Sequence, residues 1–273
     1  MLLTVHGQGA YAYTGGKAFD PALPTVVFLH GAQNDHSVWG LQTRYFAHHG
    51  YGVLALDLPA HGRSDGAPLA SVEAMADWVI ALVDAAGVQG ATLIGHSMGS
   101  LIALEASRRA PERVSALALV ATAYPMVVSD ALLTAARDDE PSAIAMVNSW
   151  AHSGMAPKPS FPGPGFSVMG GGHRLMQRIS QQHPGKVFHT DFSACNTYAG
   201  GEAAAAAVRC PTLFVIGARD VMTPPRATGL LRTAMGHATV TQIENCGHDV
   251  MGEQPDALLD ALFDFTRRNA AGN

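Results

Sequence analysis

The stretch from Ala91 to Ala110 constrains the fold of this chain more than any other part of the sequence. A short apolar run, typical of a buried strand, leads into Gly-His-Ser-Met-Gly at 95–99, and a helical pattern follows until Pro111. A strand, G-x-S-x-G and a helix are the context in which a serine sits on a sharp turn with its oxygen above a sheet. We therefore predict a nucleophilic Ser97; the plainer interpretation is a tight turn with a buried hydroxyl.

Apolar runs alternate with helical patterns along most of the chain, after a predicted β-hairpin within residues 2–13. Buried strands are predicted at 25–29, 52–56, 91–94, 114–120, 212–216 and 238–243. Helices are predicted at Gly40–His49, from Ser71 to about Ala86, and after the G-x-S-x-G turn. Because apolar strands separated by helices imply a mostly parallel sheet covered on both faces, the sequence predicts an α/β fold.

The alternation of strands and helices is interrupted between residues 122 and 207. Helical patterns occur there at 131–150, 174–182 and 191–207, with a Pro/Gly-rich loop at 157–172. We predict a core domain of residues 1–121 and 208–273, with 122–207 inserted as a cap or lid. The side chains expected to line an apolar substrate pocket are Met146, Trp150, Phe161 and Phe166, with Met155 and Met169 as further candidates. The alternative is a surface elaboration in which they form the cap's own core.

A serine hydroxyl needs a base at neutral pH, and the base needs a carboxylate that orients it. In a parallel sheet, both groups come from loops at the carboxyl ends of other strands. Asp220 follows the predicted strand 212–216, and His248 follows the predicted strand 238–243. Serine, aspartate and histidine then occur in an order known for such triads. These two residues are therefore the candidate orienting acid and general base.

Each candidate also has a plainer interpretation. Asp220 could be an N-terminal carboxylate of the helix that Pro224 opens, and His248 could be a loop histidine without a role. Asp57 also follows a predicted strand, but the proline and glycine after it favour a turn-forming role. The loop after the strand at 114–120 begins with Ala121 and Thr122 and offers no acid there, which favours Asp220 as the third member of the triad.

An oxyanion forms during acyl transfer, and two converging N–H groups stabilise it. The amide of Met98 lies at the predicted N-terminus of the helix after the serine, where negative charge is favoured. The second donor is expected in the loop after the strand 25–29. The amide of Ala32 is the first candidate, and the amide of Gln33 is the alternative.

The composition indicates a folded protein with a large core, since 48% of the residues are hydrophobic and 14% are charged. A net charge of −5 and the lack of a Lys/Arg cluster argue against a nucleic-acid partner. No apolar span of about 18 residues predicts a membrane helix, and the N-terminal residues do not resemble a secretory signal. Cys195, Cys210 and Cys246 are widely spaced, which favours reduced thiols in the cytoplasm. The 13 histidines form no pattern that favours a metal site.

The predicted strands, the G-x-S-x-G turn and the loops with Asp220 and His248 together resemble the α/β-hydrolase family with a helical cap. The matching motifs are Leu29-His30-Gly31, DLPAHGRS at 57–64, GHSMG at 95–99, GARD at 217–220 and Gly247-His248. The resemblance implies a triad of Ser97, His248 and Asp220, an acyl-enzyme intermediate, and no cofactor or metal. Dehalogenases and epoxide hydrolases of this fold use an aspartate nucleophile, so the serine argues against both activities. His96 stands where related C–C bond hydrolases often have asparagine.

The resemblance leads us to expect a serine hydrolase that cleaves a carboxylic ester with a small or medium, mainly apolar acyl group. The amides of Met98 and Ala32 would hold the oxyanion. Other reactions on the same triad are C–C bond hydrolysis of a diketone, lactone opening, and perhydrolysis of the haloperoxidase type. A different class of function, binding of a small molecule without turnover, is also open, as are the natural substrate and the oligomeric state.

Overall fold

The computed structural model describes residues 1–154, 167–183 and 185–270. The strands in these residues are Leu2–Val5 (β1), Gln8–Tyr13 (β2), Thr25–Leu29 (β3), Gly52–Leu56 (β4), Ala91–His96 (β5), Val114–Val120 (β6), Thr212–Gly217 (β7) and Thr239–Ile243 (β8). They form one sheet in the order β1-β2-β4-β3-β5-β6-β7-β8. β2 pairs antiparallel with β1 and β4, and all the other neighbours are parallel.

The central strands are buried on both faces of the sheet, as a parallel sheet covered by helices requires. Every residue of β3, β4 and β5 is buried. Alternate side chains of β3 enter two different cores: Val27 and Leu29 pack on one face, and Val26 and Phe28 on the other. The predicted α/β fold class is confirmed. The carboxyl ends of the parallel strands lie along one edge of the sheet, where the loops that follow them converge.

Strand β8 differs from the buried strand expected at 238–243. It is the edge strand of the sheet, and only Ile243 in it is buried. Ile243 pairs with Gly217 at the end of β7, so the two strands end side by side. This register brings the loop after β7 next to the loop after β8.

The helices are Gly40–His48 (α1), Val72–Ala85 (α2), Met98–Arg109 (α3), Asp130–Asp138 (α4), Glu140–Trp150 (α5), Val168–Gln182 (α6), Val187–Thr197 (α7), Gly201–Ala207 (α8), Gly229–Ala234 (α9), Val250–Glu253 (α10) and Pro255–Ala270 (α11). Side chains of α2, α3 and α8 form the core on one face of the sheet, and α1 and α11 cover the other. Ser71 caps α2 as predicted, accepting a hydrogen bond from the amide of Ala74 at 3.2 Å.

The helices between β6 and β7 differ from the sequence prediction in three places. The predicted helix 191–207 is two helices, α7 and α8, with residues 198–200 between them. The predicted helix 131–150 is two helices, because Asp139 leaves the helical conformation with a φ of −147° and caps α5. Its carboxylate accepts hydrogen bonds from the amide of Ser142 at 3.4 Å and from the Ser142 hydroxyl at 2.6 Å. The loop prediction at 157–172 is wrong for residues 168–172, which begin α6; residues 157–166 lie outside the described part. Ser167 accepts a hydrogen bond from the amide of Gly170 at 3.0 Å, and this N-cap starts a helix despite three glycines.

Helices α4 to α8, here called the cap helices, have an apolar cluster of their own. It contains Leu132, Ala136, Ala143, Ile144, Val147, Met176, Phe188 and Phe192. Cys195, Tyr198 and residues of α8 instead join the core beside α3. The cap boundaries at 122 and 207 stay a prediction. In the part of the chain that the structure describes, each helix is too short or too polar to cross a membrane. The cytoplasmic location also stays a prediction.

Candidate active site

Ser97 lies between β5 and α3 in a backbone conformation that is unfavourable for any residue with a side chain. Its φ is +52° and its ψ is −119°. Such conformations cost about 1–3 kcal/mol and persist only where neighbouring contacts hold them. Here the amide of Ser97 donates to the carbonyl of Val120 at 2.9 Å, and the hydroxyl of Ser100 donates to the carbonyl of Ser97 at 2.5 Å. The predicted elbow geometry is present.

Two glycines let the strand, the turn and the helix approach closely. A Cβ at Gly95 would overlap the carbonyl of Gly99. A Cβ at Gly99 would lie 2.5 Å from the carbonyl oxygen of Leu29 and 2.6 Å from that of His30. Both contacts are with backbone, which cannot move aside cheaply, so both positions require glycine.

Gly99→Ala is expected to lower the free energy of unfolding by about 1–3 kcal/mol or more, because α3 must move away from β3. Gly229→Ala is the matched control, since no atom lies within 4 Å of a Cβ at that helical position. It should be neutral or slightly stabilising. Urea denaturation of both variants measures the difference, and an unchanged midpoint for Gly99→Ala would contradict the close approach.

Asp220 and His248 meet as a buried pair at the ends of β7 and β8. His248 Nδ1 lies 2.8 Å from Asp220 Oδ2, and neither side chain is more than 6% exposed. Asp220 Oδ1 accepts hydrogen bonds from the amides of Met222 and Thr223, each at 2.8 Å. Burial alone would raise the pKa of Asp220, but the charge of His248 and these hydrogen bonds lower it well below its ordinary value of 3.8. Asp220 is therefore ionised and orients the imidazole.

Thr223 and His96 complete the surroundings of His248, although the sequence analysis did not select either for this role. The Thr223 hydroxyl lies 2.6 Å from Asp220 Oδ2 and 3.0 Å from His248 Nδ1. His96 Nε2 donates to the carbonyl of His248 at 2.9 Å. Burial, together with the charge of His248, lowers the pKa of His96 to about 4, so His96 is neutral at pH 7. The sequence could have indicated this role of His96, because His96 directly precedes Ser97.

The two preferred oxyanion donors stay a prediction, and the structure shows where their amides lie. Met98 is the first residue of α3, where helix amides lack partners within the helix. In the loop after β3, His30 Nε2 accepts from the amide of Leu58 at 3.2 Å, so its Nδ1 donates to the carbonyl of Gly31 at 2.8 Å. In a trans peptide the N–H points opposite to the C=O, which turns the amide of Ala32 away from the His30 ring. The amide of Gln33, the alternative candidate, is not free to bind an oxyanion in this structure, because it donates to Asp191 Oδ2 at 2.8 Å.

A cavity of about 890 Å³ opens above the serine. Ser97, His248 and Ala32 line it. Its apolar wall consists of Val38, Leu41, Val147, Ala151, Val168, Leu175, Met176, Phe192, Met222 and Met251. A polar part of the lining is formed by Asn34, Asn148, His152, Arg174, Arg178 and Asp249. The cavity is therefore mainly apolar and large enough for a medium-sized ligand.

The predicted pocket residues do not line this cavity in the described part of the chain. Met146 and Trp150 both lie on α5, but the cavity side of this helix carries Val147 and Asn148. Met146 packs against the apolar cluster of the cap helices, and the Trp150 residue is 38% exposed. The error is one of helical phase, because neighbouring positions on a helix point about 100° apart. Phe161, Phe166 and Met155 lie outside the described residues, and Met169 is not part of the cavity lining.

Asp35, His36 and Asp57 are the described residues whose potential ligand atoms lie within 4.8 Å of one another, as a metal site would require. Asp57 Oδ1 accepts from the amide and from Nδ1 of His36, both at 2.8 Å, and its Oδ2 accepts from the amide of Arg63. Asp35 binds Ser37 and Arg178. The bond from the Arg63 amide lies within the loop of Asp57, in agreement with the turn-forming interpretation. The bonds from His36 join this loop to the loop after β3.

Comparison with known proteins shows the family to which the chain belongs. The profile of the alpha/beta hydrolase family matches residues 26–261. The pimeloyl-(acyl-carrier protein) methyl ester esterase of Neisseria meningitidis serogroup C is 28% identical over 276 residues, covering 91% of this chain and 96% of that protein. A solved esterase from Exiguobacterium antarcticum has a TM-score of 0.83 at 19% identity, covering 98% of this chain and 99% of that chain.

A further relative matches over a shorter region. The dihydrolipoyllysine-residue acetyltransferase component of the acetoin cleaving system of Cupriavidus necator is 40% identical over 114 residues. That match spans 40% of this chain and only 28% of the acetyltransferase component, so the likeness concerns one part of a longer protein. The family profile, in contrast, extends over most of the sequence. The chain belongs to the alpha/beta hydrolase family.

Proposed function

We propose that this protein is a serine hydrolase that cleaves carboxylic esters through an acyl-enzyme intermediate. The observation that carries the proposal is the 2.8 Å hydrogen bond between His248 Nδ1 and Asp220 Oδ2, at a cavity that Ser97 also lines. A carboxylate at Nδ1 keeps the proton on that nitrogen and leaves Nε2 as the base. The relatives from Neisseria and Exiguobacterium named above are both esterases, which supports the same reaction.

In the proposed mechanism, Ser97 Oγ attacks the ester carbonyl carbon while His248 Nε2 takes the hydroxyl proton. The amides of Met98 and Ala32 donate to the oxyanion of the tetrahedral intermediate. The bond to the alcohol then breaks, and His248 returns the proton to the leaving oxygen. A water molecule, deprotonated by His248, attacks the acyl-enzyme in the same way and releases the carboxylic acid and Ser97.

The size of the cavity favours a medium acyl group over acetate. At about 890 Å³ it lies near the upper end of the range of ligand pockets, which is about 300–1,000 Å³. From p-nitrophenyl acetate to hexanoate we expect kcat/KM to rise at least about tenfold, since each buried methylene contributes about 0.8 kcal/mol. Alkaline hydrolysis of the same esters corrects for their intrinsic reactivity. A maximum at acetate would contradict an acyl pocket of this size.

A fluorophosphonate probe tests whether the serine is activated. The native protein is incubated with the probe, and the modified peptide is identified by mass spectrometry. We expect labelling at Ser97 and its loss in His248→Ala, because the hydroxyl reacts only when a base removes its proton. Labelling without ester turnover would direct the substrate screen to lactones and diketones. No labelling of the folded protein would contradict the proposed function and favour a binding protein.

A further inference from the structure

The cap helices supply much of the support of the loop that carries the Ala32 amide, beside the His30 ring and the Asn34 side chain within that loop. This oxyanion loop, residues 30–35, contains Gln33 with a φ of +55°. A positive φ is uncommon for a residue other than glycine and needs outside contacts to persist. Gln33 is completely buried, so those contacts come from protein groups.

All the described hydrogen-bond partners of Gln33 lie between β6 and β7. Its amide donates to Asp191 Oδ2 on α7 at 2.8 Å. Its side-chain Nε2 donates to the carbonyl of Met176 at 3.0 Å and to the hydroxyl of Ser180 at 2.8 Å, both on α6. Glu140, on α5, lies 3.3 Å from the same nitrogen. Three cap helices therefore bind one strained residue of the oxyanion loop.

Asp191 is also fixed from the core side, by the loop after β4. His61 Nε2 donates to the same Asp191 oxygen at 2.9 Å, and His61 Nδ1 lies 3.0 Å from the carbonyl of Pro59. Both ring nitrogens face acceptors, which requires a protonated imidazole. Burial would lower the pKa of His61, but the charge of Asp191 and these hydrogen bonds raise it. The Asp191–His61 ion pair is completely enclosed, so removal of either partner leaves an uncompensated group.

We propose that Asp191 and Gln33 are positioning residues through which the docked cap helices set the amide of Ala32 for oxyanion binding. The His30 ring fixes the peptide plane before Ala32 through the Gly31 carbonyl, and Asp191 fixes the plane after it through the Gln33 amide. Without Asp191, Gln33 relaxes to a negative φ and rotates the peptide that follows Ala32. The proposal rests on the proposed function, since it assigns Ala32 as an oxyanion donor.

The principal variant is Asp191→Leu, which keeps the shape of the side chain and removes the acceptor. We expect kcat for a p-nitrophenyl ester to fall about 10- to 100-fold, with KM changed by less than about threefold. The fall is smaller than the roughly 100- to 1,000-fold cost of a lost oxyanion donor, because the Ala32 amide is displaced rather than removed. Asp191→Asn keeps a carbonyl oxygen for the Gln33 amide and should recover most of the loss.

A trifluoromethyl ketone separates this role from a purely structural one. Serine adds to such a ketone to form a tetrahedral oxyanion, whereas the carboxylic acid product binds without one. In Asp191→Leu, the affinity for the ketone should fall by the same factor as kcat/KM, and the affinity for the product should stay within about threefold. Equal losses of affinity for ketone and product would overturn the proposal.

Glu105→Leu is the matched control, since Glu105 is another buried carboxylate, bound by Arg108 and Arg109 in α3 and absent from the cavity lining. It should lower the melting temperature and leave kcat per folded molecule unchanged.

If Asp191→Leu does not fold, Gln33→Met removes the contacts with α6 and should lower kcat about tenfold. Full kcat in folded Asp191→Leu, with Ser97→Ala inactive, would overturn this proposal alone. An active Ser97→Ala would overturn the proposed function.

Discussion

Replacing Ser97 with alanine is expected to lower kcat for ester hydrolysis by about four to six orders of magnitude. The substitution removes the attacking oxygen and leaves the base without a proton to accept. The oxyanion donors and the cavity remain, so a small rate above the uncatalysed reaction is expected to persist. Hydrolysis of p-nitrophenyl hexanoate by the purified variant measures the effect. A loss of less than about tenfold in the purified variant would contradict the assignment of the nucleophile.

Ser107→Ala is the matched control for this experiment. Ser107 is also buried and lies on the helix that Ser97 precedes, and its hydroxyl donates to the carbonyl of Ala103 at 2.8 Å. Its replacement should leave kcat unchanged.

A second comparison tests the backbone strain at position 97. Ser97→Gly should be more stable than Ser97→Ala by about 1 kcal/mol or more, because glycine adopts a positive φ without steric cost. Equal stabilities would contradict a strained elbow.

Asp220→Asn should lower kcat by about three to four orders of magnitude with little change in KM. The carbonyl oxygen of the asparagine must occupy the Oδ1 position, since the amides of Met222 and Thr223 donate there. Its NH₂ group then faces His248 Nδ1 and donates to it, which moves the ring proton to Nε2. A base with that nitrogen protonated cannot accept the serine proton. Steady-state kinetics measure the loss.

The control for this variant is Asp84→Asn. Asp84 is a half-exposed carboxylate that pairs with Arg113, and neither residue lines the cavity. Its kcat should equal that of the native protein. If Asp220→Asn kept more than about a tenth of the native kcat, the orienting role of Asp220 would be contradicted. The result would then return Asp220 to the plainer role of a helix N-terminal carboxylate.

The lowered pKa of Asp220 also predicts a pH dependence of stability. The folded protein holds this carboxylate ionised below its ordinary pKa of 3.8, so its contribution is fully present above about pH 5. The contribution is lost as the pH falls through the folded-state pKa. The stability difference between native protein and Asp220→Asn should therefore shrink as the pH falls from about 5 to about 3. Urea denaturation across this range measures it.

The strands, and the meeting of Asp220 with His248, could be predicted from the sequence because their signals are local or follow chain order. Buried parallel strands are continuous apolar runs, and β3, β4 and β6 have the predicted bounds. A serine between strand and helix, followed by an acid and a histidine after later strands, leaves few ways to arrange the loops. The structure brings Asp220 and His248 to hydrogen-bond distance as that order implies.

The cavity wall could not be predicted in the same way. Whether Met146 or Val147 faces the cavity depends on how α5 is rotated against its neighbours, and helical periodicity alone leaves that rotation open when several faces carry apolar side chains. The sequence analysis also missed the helix start at Val168. There Ser167 accepts an N-cap hydrogen bond from the amide of Gly170, and the helix forms despite the low helix propensity of three glycines.

The sequence by itself determined the fold class, the nucleophile turn and the order of the candidate triad, because each depends on residues that are neighbours along the chain. Only the tertiary structure decided the state of the oxyanion loop. Gln33 and Asp191 are separated by 158 positions. The hydrogen bond from the Gln33 amide to Asp191 leaves that amide unable to donate to an oxyanion. No local pattern encodes such a contact, since it exists only after the cap helices have packed against the loops of the core.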